Sequence, residues 1–161
     1  MKTLVLGLGN PLVSDDSVGL RVAAELKPLL AGRPEVDVVE DYWGGLRLME
    51  RMVGYDRAII IDAMCTGAEP GTVRLLTPDA LPTQRSASAH DVDLPTALEL
   101  GRRAEMHLPP NENILLVGIE AEDVVNFSEG CTPAVEAAIP RGVRAVVEAL
   151  ESGWPKRTAC R

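Results

Sequence analysis

Aromatic side chains are scarce in this chain: Phe, Trp and Tyr together supply 3% of its 161 residues, with a single phenylalanine. Its core must therefore be assembled from Leu, Val, Ile and Ala. Basic residues are outnumbered, 16 against 24 acids, which leaves a formal charge of -8. Nonspecific nucleic-acid binding requires Lys and Arg to neutralise phosphates, so that class of function is disfavoured. The three cysteines, Cys65, Cys131 and Cys160, show no C-x-x-C spacing. They read as reduced thiols, with Cys65 and Cys131 expected to be buried and unreactive, and neither a disulfide frame nor a zinc knuckle is expected. No run approaches the roughly 18 apolar residues of a membrane helix, and the opening residues lack the pattern of a secretory leader. The expectation is a cytoplasmic protein with no membrane partner. Repeats, low-complexity tracts and internal linkers are also missing. The length suits a single domain, expected over residues 1–153, with 154–161 as a tail.

What the chain does have is a series of short apolar runs separated by turn residues and helical patterns. The first, in Lys2 to Leu6, leads into Gly7-Leu8-Gly9-Asn10-Pro11, after which Val18, Val22 and Leu26 repeat at helical spacing. Val36 to Val39 predicts a second strand ending in Glu40-Asp41. A helix through Leu46, Met49 and Met52 should follow and break at Gly54. Ala58-Ile59-Ile60-Ile61 is apolar on both faces, as a central parallel strand requires, and closes at Asp62. The next strand, Thr72 to Leu76, comes after a connection of about eight residues, too short for a parallel crossover, so it should run antiparallel. A polar loop over residues 77–93 precedes a helix through Leu94, Ala97, Leu98 and Ala104, with Asp91 and Asp93 as caps. Ile114 to Ile119 forms another strand ending at Glu120. Thr132 and Pro133 open a last helix whose core face is Val135, Ile139, Val143, Val146 and Leu150. This alternation predicts a three-layer α/β/α domain around a mostly parallel sheet.

Chemistry in such sheets gathers at the carboxyl ends of the strands. Asp16 stands just beyond the first strand, Asp62 closes the third, and His90 lies in the long loop. Two carboxylates and an imidazole suit a divalent transition metal, and they equally suit base, acid and orienting roles in hydrolysis. Asp15 is the better candidate for capping the first helix. Asp62 needs a partner because it emerges from an apolar run. His107 precedes a strand at its amino end, the wrong edge for a site, and reads as structural. Gly7-x-Gly9 raises dinucleotide binding, with Glu40-Asp41 as a ribose acceptor, but Leu12 occupies the third glycine position.

Gly7-Leu8-Gly9-Asn10-Pro11-Leu12-x-x-Asp15-Asp16-x-x-Gly19 resembles the opening motif of the hydrogenase maturation proteases. The likeness continues through Ile60-Ile61-Asp62-Ala63, Ser88-Ala89-His90, Leu116-Val117-Gly118-Ile119 and Gly130-Cys131-Thr132-Pro133-Ala134-Val135-Glu136, in order along nearly the whole chain. The resemblance implies a five-stranded sheet between helices with one strand antiparallel. It implies an endopeptidase that removes a short C-terminal peptide from the nickel–iron hydrogenase large-subunit precursor after nickel insertion. By motif match, Asp16, Asp62 and His90 would engage that nickel and carry the catalysis. Departures from the family pattern are Asp16, where Glu is frequent, Ser17 in place of Gly, and Tyr42-Trp43 ahead of Gly44-Gly45. Tyr42, Trp43, Gly44 and Gly45 are the expected substrate contacts. The nickel would come from the substrate, with no tightly bound cofactor expected, and the protein would act as a monomer. Competing readings are a self-contained zinc hydrolase on the same residues, a noncatalytic nickel-sensing chaperone, and peptidyl-tRNA hydrolase. The last shares the Asn-Pro turn but is disfavoured by Asp15-Asp16 and the net charge.

Overall fold

The computed structural model describes residues 1–42, 44–80 and 93–152. Five strands form one sheet in the order β2-β1-β3-β5-β4. β1 (Thr3–Leu8), β3 (Arg57–Met64) and β5 (Ile114–Glu120) occupy the middle, and β2 (Val36–Asp41) and β4 (Val73–Leu76) the edges. Interior strands buried on both faces need continuous apolar runs, and every residue of β1 is buried. Edge strand β2 alternates polar and apolar residues more freely, as Val36-Asp37-Val38-Val39-Glu40-Asp41, whereas the interior strands keep their charged residues at or near their ends. β1 pairs parallel with β2 and β3, and β3 with β5. β4 runs antiparallel to β5, Val73 facing Ile119 and Leu76 facing Leu116, as its short connection required.

Alternation along the strands sends neighbouring side chains to opposite layers. Val5, Ile59, Ile61, Val117 and Ile119 pack beneath α1 (Val18–Leu30) and α4 (Pro133–Ser152), meeting Val22, Leu26, Val135, Ile139 and Val146. On the other face Leu4, Leu6, Ile60 and Ile114 pack against Leu48, Met49 and Met52 of α2 (Gly45–Met52) and Leu94, Ala97 and Leu98 of α3 (Leu94–Arg103). The predicted α/β/α layering is therefore the observed one.

Three local expectations are corrected. Leu46, in the first turn of α2, is exposed, and Leu48 takes the core position with Met49 and Met52, packed with Leu4, Leu6 and Ile60 of the sheet. Ala104 follows the end of α3 and is exposed; Gly101 turns inward instead, where a Cβ would stand 2.6 Å from Leu108 Cδ1. Asp15 does not cap α1, since a 3-10 turn over Ser14–Ser17 intervenes and no side chain caps the helix. Asp93 does cap α3 as expected, accepting from the Thr96 amide at 2.8 Å.

Candidate functional site

Glycines bring the start of α1 down onto the sheet. A Cβ on Gly19 would lie 2.3 Å from the carbonyl oxygens of both Leu8 and Ile61, and one on Gly7 would lie 2.3 Å from the Gly19 carbonyl. Gly9, at φ 154°, leaves room for the Asp16 carbonyl, 2.0 Å from where its Cβ would stand. The Gly7-x-Gly9 pair is thus spent on close helix–strand packing. A carboxylate also takes the backbone donor that a phosphate would want: Asn10 N donates to Asp16 Oδ2 at 3.0 Å. Both observations weigh against a dinucleotide loop.

Acidic side chains crowd this carboxyl edge, and their partners sort them. Asp15 is fully buried and accepts from the amides of Glu122, Asp123 and Thr132 at 2.7–2.9 Å and from the Thr132 hydroxyl. Glu120 is buried and accepts from Thr66 N and Oγ1, each at 2.7 Å, and from Gly67 N at 3.0 Å. Asp41, also buried, takes Arg51 Nε at 2.7 Å, Arg47 Nε at 3.3 Å and the Tyr42 amide at 2.8 Å. These three carboxylates hold loops to strand ends, and their needs are met.

Asp16 and Asp62 differ. Each is half-buried, and among the described residues each accepts from a single backbone amide, Asn10 N and Ala63 N respectively. Burial raises the Asp16 carboxyl above its ordinary value, against the Asn10 hydrogen bond. Asp62 is pushed up to about 7, by burial first and then by the negative charge of Asp16, with the Ala63 amide opposing. Two carboxylates in one another's field, short of donors, form a place where a cation or a proton is favoured. Residues that sequence reasoning paired are thus brought together. His90 and Trp43 lie outside the described residues, as does Asp91.

Tyr42 is exposed at the end of β2, which joins the same edge through Gly9 N donating to the Asp41 carbonyl at 3.3 Å. Gly44 is exposed and nothing stands near its missing Cβ, whereas Gly45 needs glycine for its positive φ. Cys65 is exposed, correcting the expected burial. Its thiol is held up by partial burial and then by Glu120, Asp16, Asp62 and Asp15, the reverse of what an activated nucleophile needs. Cys131 is half-buried beside Ser17, its Sγ 3.6 Å from Ser17 Oγ. His107 sits at the opposite edge, Nε2 3.5 Å from Asp56 Oδ1, in keeping with a structural part. Among the described residues no group of three or more His, Cys, Asp or Glu stands ready to hold a metal ion. Nor does any described helix have the length and apolarity to cross a membrane.

A doubly covered, mostly parallel sheet, with two carboxylates at its carboxyl edge that have one amide donor each among the described residues, defines the class as an α/β protein with a strand-end acidic site. Comparison with known proteins narrows this. The family model described as hydrogenase maturation protease matches residues 20–149. The hydrogenase 2 maturation protease of Escherichia coli is 31% identical over 157 residues, covering 95% of this chain and 93% of that relative. A hydrogenase expression/formation protein, HupD of Rhizobium leguminosarum, is 28% identical over 94% of this chain and 75% of its own. The solved hydrogenase maturating endopeptidase HybD from E. coli superposes with a TM-score of 0.75 at 29% identity, covering 95% of this chain and 94% of that one. The chain belongs to the hydrogenase maturation protease family, and it is a peptidase.

Proposed function

We propose that this peptidase removes the C-terminal peptide of a nickel–iron hydrogenase large-subunit precursor, and that it reads nickel already seated in that precursor. The observation that carries the reading is two half-buried carboxylates at one strand-end edge, each with a single amide donor among the described residues. Burial raises Asp16, and burial and then the Asp16 charge raise Asp62, a penalty that a nearby divalent ion would relieve. Asp16, Asp62 and His90 are the proposed ligands and catalytic groups. Oxygen and imidazole donors suit a borderline ion such as nickel. Held by these residues, such an ion would supply Lewis-acid chemistry, polarising the scissile carbonyl or activating a water. A metal arriving with the substrate would favour the ionised form of Asp62, so that Asp16, Asp62 and His90 would hold it on docking. Tyr42, Trp43, Gly44 and Gly45 are the proposed contacts to the peptide. The enzyme is proposed to work as a cytoplasmic monomer, with no cofactor of its own.

The test is incubation of purified enzyme with nickel-loaded and nickel-free precursor, followed by mass measurement of the precursor C-terminus. Cutting of the loaded form alone supports the reading. Equal cutting of both, or zinc bound stoichiometrically by the purified enzyme, would replace it with a self-contained hydrolase.

A further inference from the structure

The chain's one phenylalanine is not in the core: Phe127 is 82% exposed, and Val125 beside it 79%. Leu12, 60% exposed, stands on the segment that pairs with theirs. Val13 bridges Phe127 in antiparallel fashion, and Ser128 N donates to the Leu12 carbonyl at 3.0 Å. Exposed apolar residues scattered on a loose loop would mean little, but this ribbon is firmly built. Asp123 Oδ1 accepts from Val125 N and Asn126 N at 3.0 Å, and Asp123 Oδ2 from Asn126 Nδ2 at 2.9 Å. Asp15 N donates to the Asp123 carbonyl at 3.0 Å, while the Asp15 carboxylate accepts the Glu122 and Asp123 amides. Arg21 donates to the Glu129 carbonyl. The backbone of a surface loop is tied down on every side while its largest apolar side chains face water. Such rigidity lowers the entropy lost when a partner docks.

We propose that the ribbon of Leu12–Val13 and Val125–Ser128 is a docking lip for the folded body of the precursor, gripping an apolar patch rimmed by Lys or Arg. The inference rests on the reading of Asp16 and Asp62 as the processing site, because the same turn, Ser14–Ser17, joins lip to site. Continuity places a partner held by Phe127 against the edge where the cut is made. Charge chooses among occupants. The lip is bordered by exposed Glu122 and Glu129, and the chain carries -8 overall, so a second copy would bring like charge to like. A precursor surface with basic residues around an apolar centre complements it. Aromatic residues presented at full exposure are the type that becomes an energetic anchor when covered.

The experiment compares wild type, Phe127→Ser and Val125→Ser on nickel-loaded precursor by steady-state kinetics, with thermal unfolding and sedimentation of each protein. The expected result is a KM raised about tenfold or more for Phe127→Ser, a smaller rise for Val125→Ser, kcat within about twofold, and unchanged unfolding midpoints. Adding Glu122→Lys should raise KM again by weakening the basic-rim contact. If Phe127→Ser lowers the unfolding midpoint, the Val125→Ser and Glu122→Lys kinetics decide. Wild-type enzyme that cuts normally, with variants of unchanged KM, overturns the lip and leaves the functional reading intact. Failure of wild type to cut the loaded precursor sinks that reading instead. A wild-type dimer that dissolves on Phe127→Ser assigns the surface to a second copy and overturns the proposal.

Discussion

Asp15 accepts both the amide and the hydroxyl of Thr132, so the turn that presents Asp16 is fastened to the first residue before α4. Adjacent acids thus have separate duties. Asp15 spends its carboxylate on protein donors; Asp16, half-buried, accepts from Asn10 N alone among the described residues.

Asp15→Ala should remove a buried acceptor from several amides at once and leave those donors unmet. The expected loss is about 2–4 kcal/mol of unfolding free energy, read as a lower urea midpoint. Asp15→Asn keeps one acceptor oxygen and should lose less. A midpoint unchanged in Asp15→Ala would show that water replaces Asp15 at those amides.

Stability should depend on pH through Asp62. Its folded-state carboxyl titrates at about 7, against an ordinary value of 3.8, so between those values the native state holds a proton that the unfolded chain has released. Stability is then full below pH 3.8, falls as pH rises, and has lost this contribution above about 7. Asp62→Asn cannot ionise and still accepts from Ala63 N. At pH 8 it should be more stable than the parent by about 1–3 kcal/mol, with the gap closing toward pH 4. Denaturant unfolding at both pH values reads this directly. A gap of equal size at pH 4 and 8 would refute the titration argument. The same variant should fail to process precursor, separating loss of function from loss of fold.

Gly19→Ala tests how Asp16 reaches the site. Its Cβ would collide with the carbonyls of Leu8 and Ile61, both backbone atoms of central strands that cannot give way cheaply. The helix must lift, carrying Asp16 from Asp62. We expect at least about 2 kcal/mol of destabilisation and a downward shift of the Asp62 titration toward its ordinary value, as one of the charges raising it withdraws. Carbon-edited NMR of the aspartate carboxyls would follow that shift. An Asp62 titration unmoved in a folded Gly19→Ala protein would contradict the coupling.

The parts legible in the sequence were those with one dominant physical cause. Strands buried on both faces announce themselves as runs such as Ile59-Ile60-Ile61, and a carboxylate that ends such a run has few structural explanations. The antiparallel β4 followed from connection length alone. Features decided by distant chain were illegible. Asp15 is 117 residues from Thr132, and nothing near Asp15 signals that the pair will meet. Burial of Leu48 rather than Leu46 is decided by how α2 packs on Leu4, Leu6 and Ile60, which its own sequence does not announce. Cys65 read as buried because cysteine usually is, yet it follows β3 onto the exposed edge. One signal for the lip was available: the single phenylalanine lies in a short segment flanked by acids, Asp123 to Glu129, with no helical or strand period to turn it inward.

Asp16 carries a shorter side chain than the Glu frequent at this position in the family pattern. Asp16 is held by Asn10 N at 3.0 Å, and its carboxyl raises Asp62 through space. If a cation carried by the precursor is what these acids await, charge should matter more than length. Asp16→Glu preserves the charge and adds one methylene, so processing of nickel-loaded precursor should persist within about tenfold of the parent. Asp16→Asn preserves shape and the Asn10 hydrogen bond but removes the charge; processing should fall by at least about a hundredfold. Asp62 in Asp16→Asn should also titrate lower, since one source of its elevation is gone. Rates for both variants, measured with loaded precursor beside the Asp62 titration, test one cause through two readouts. Full activity in Asp16→Asn with a lowered Asp62 titration would show that the two carboxylates interact without serving the reaction.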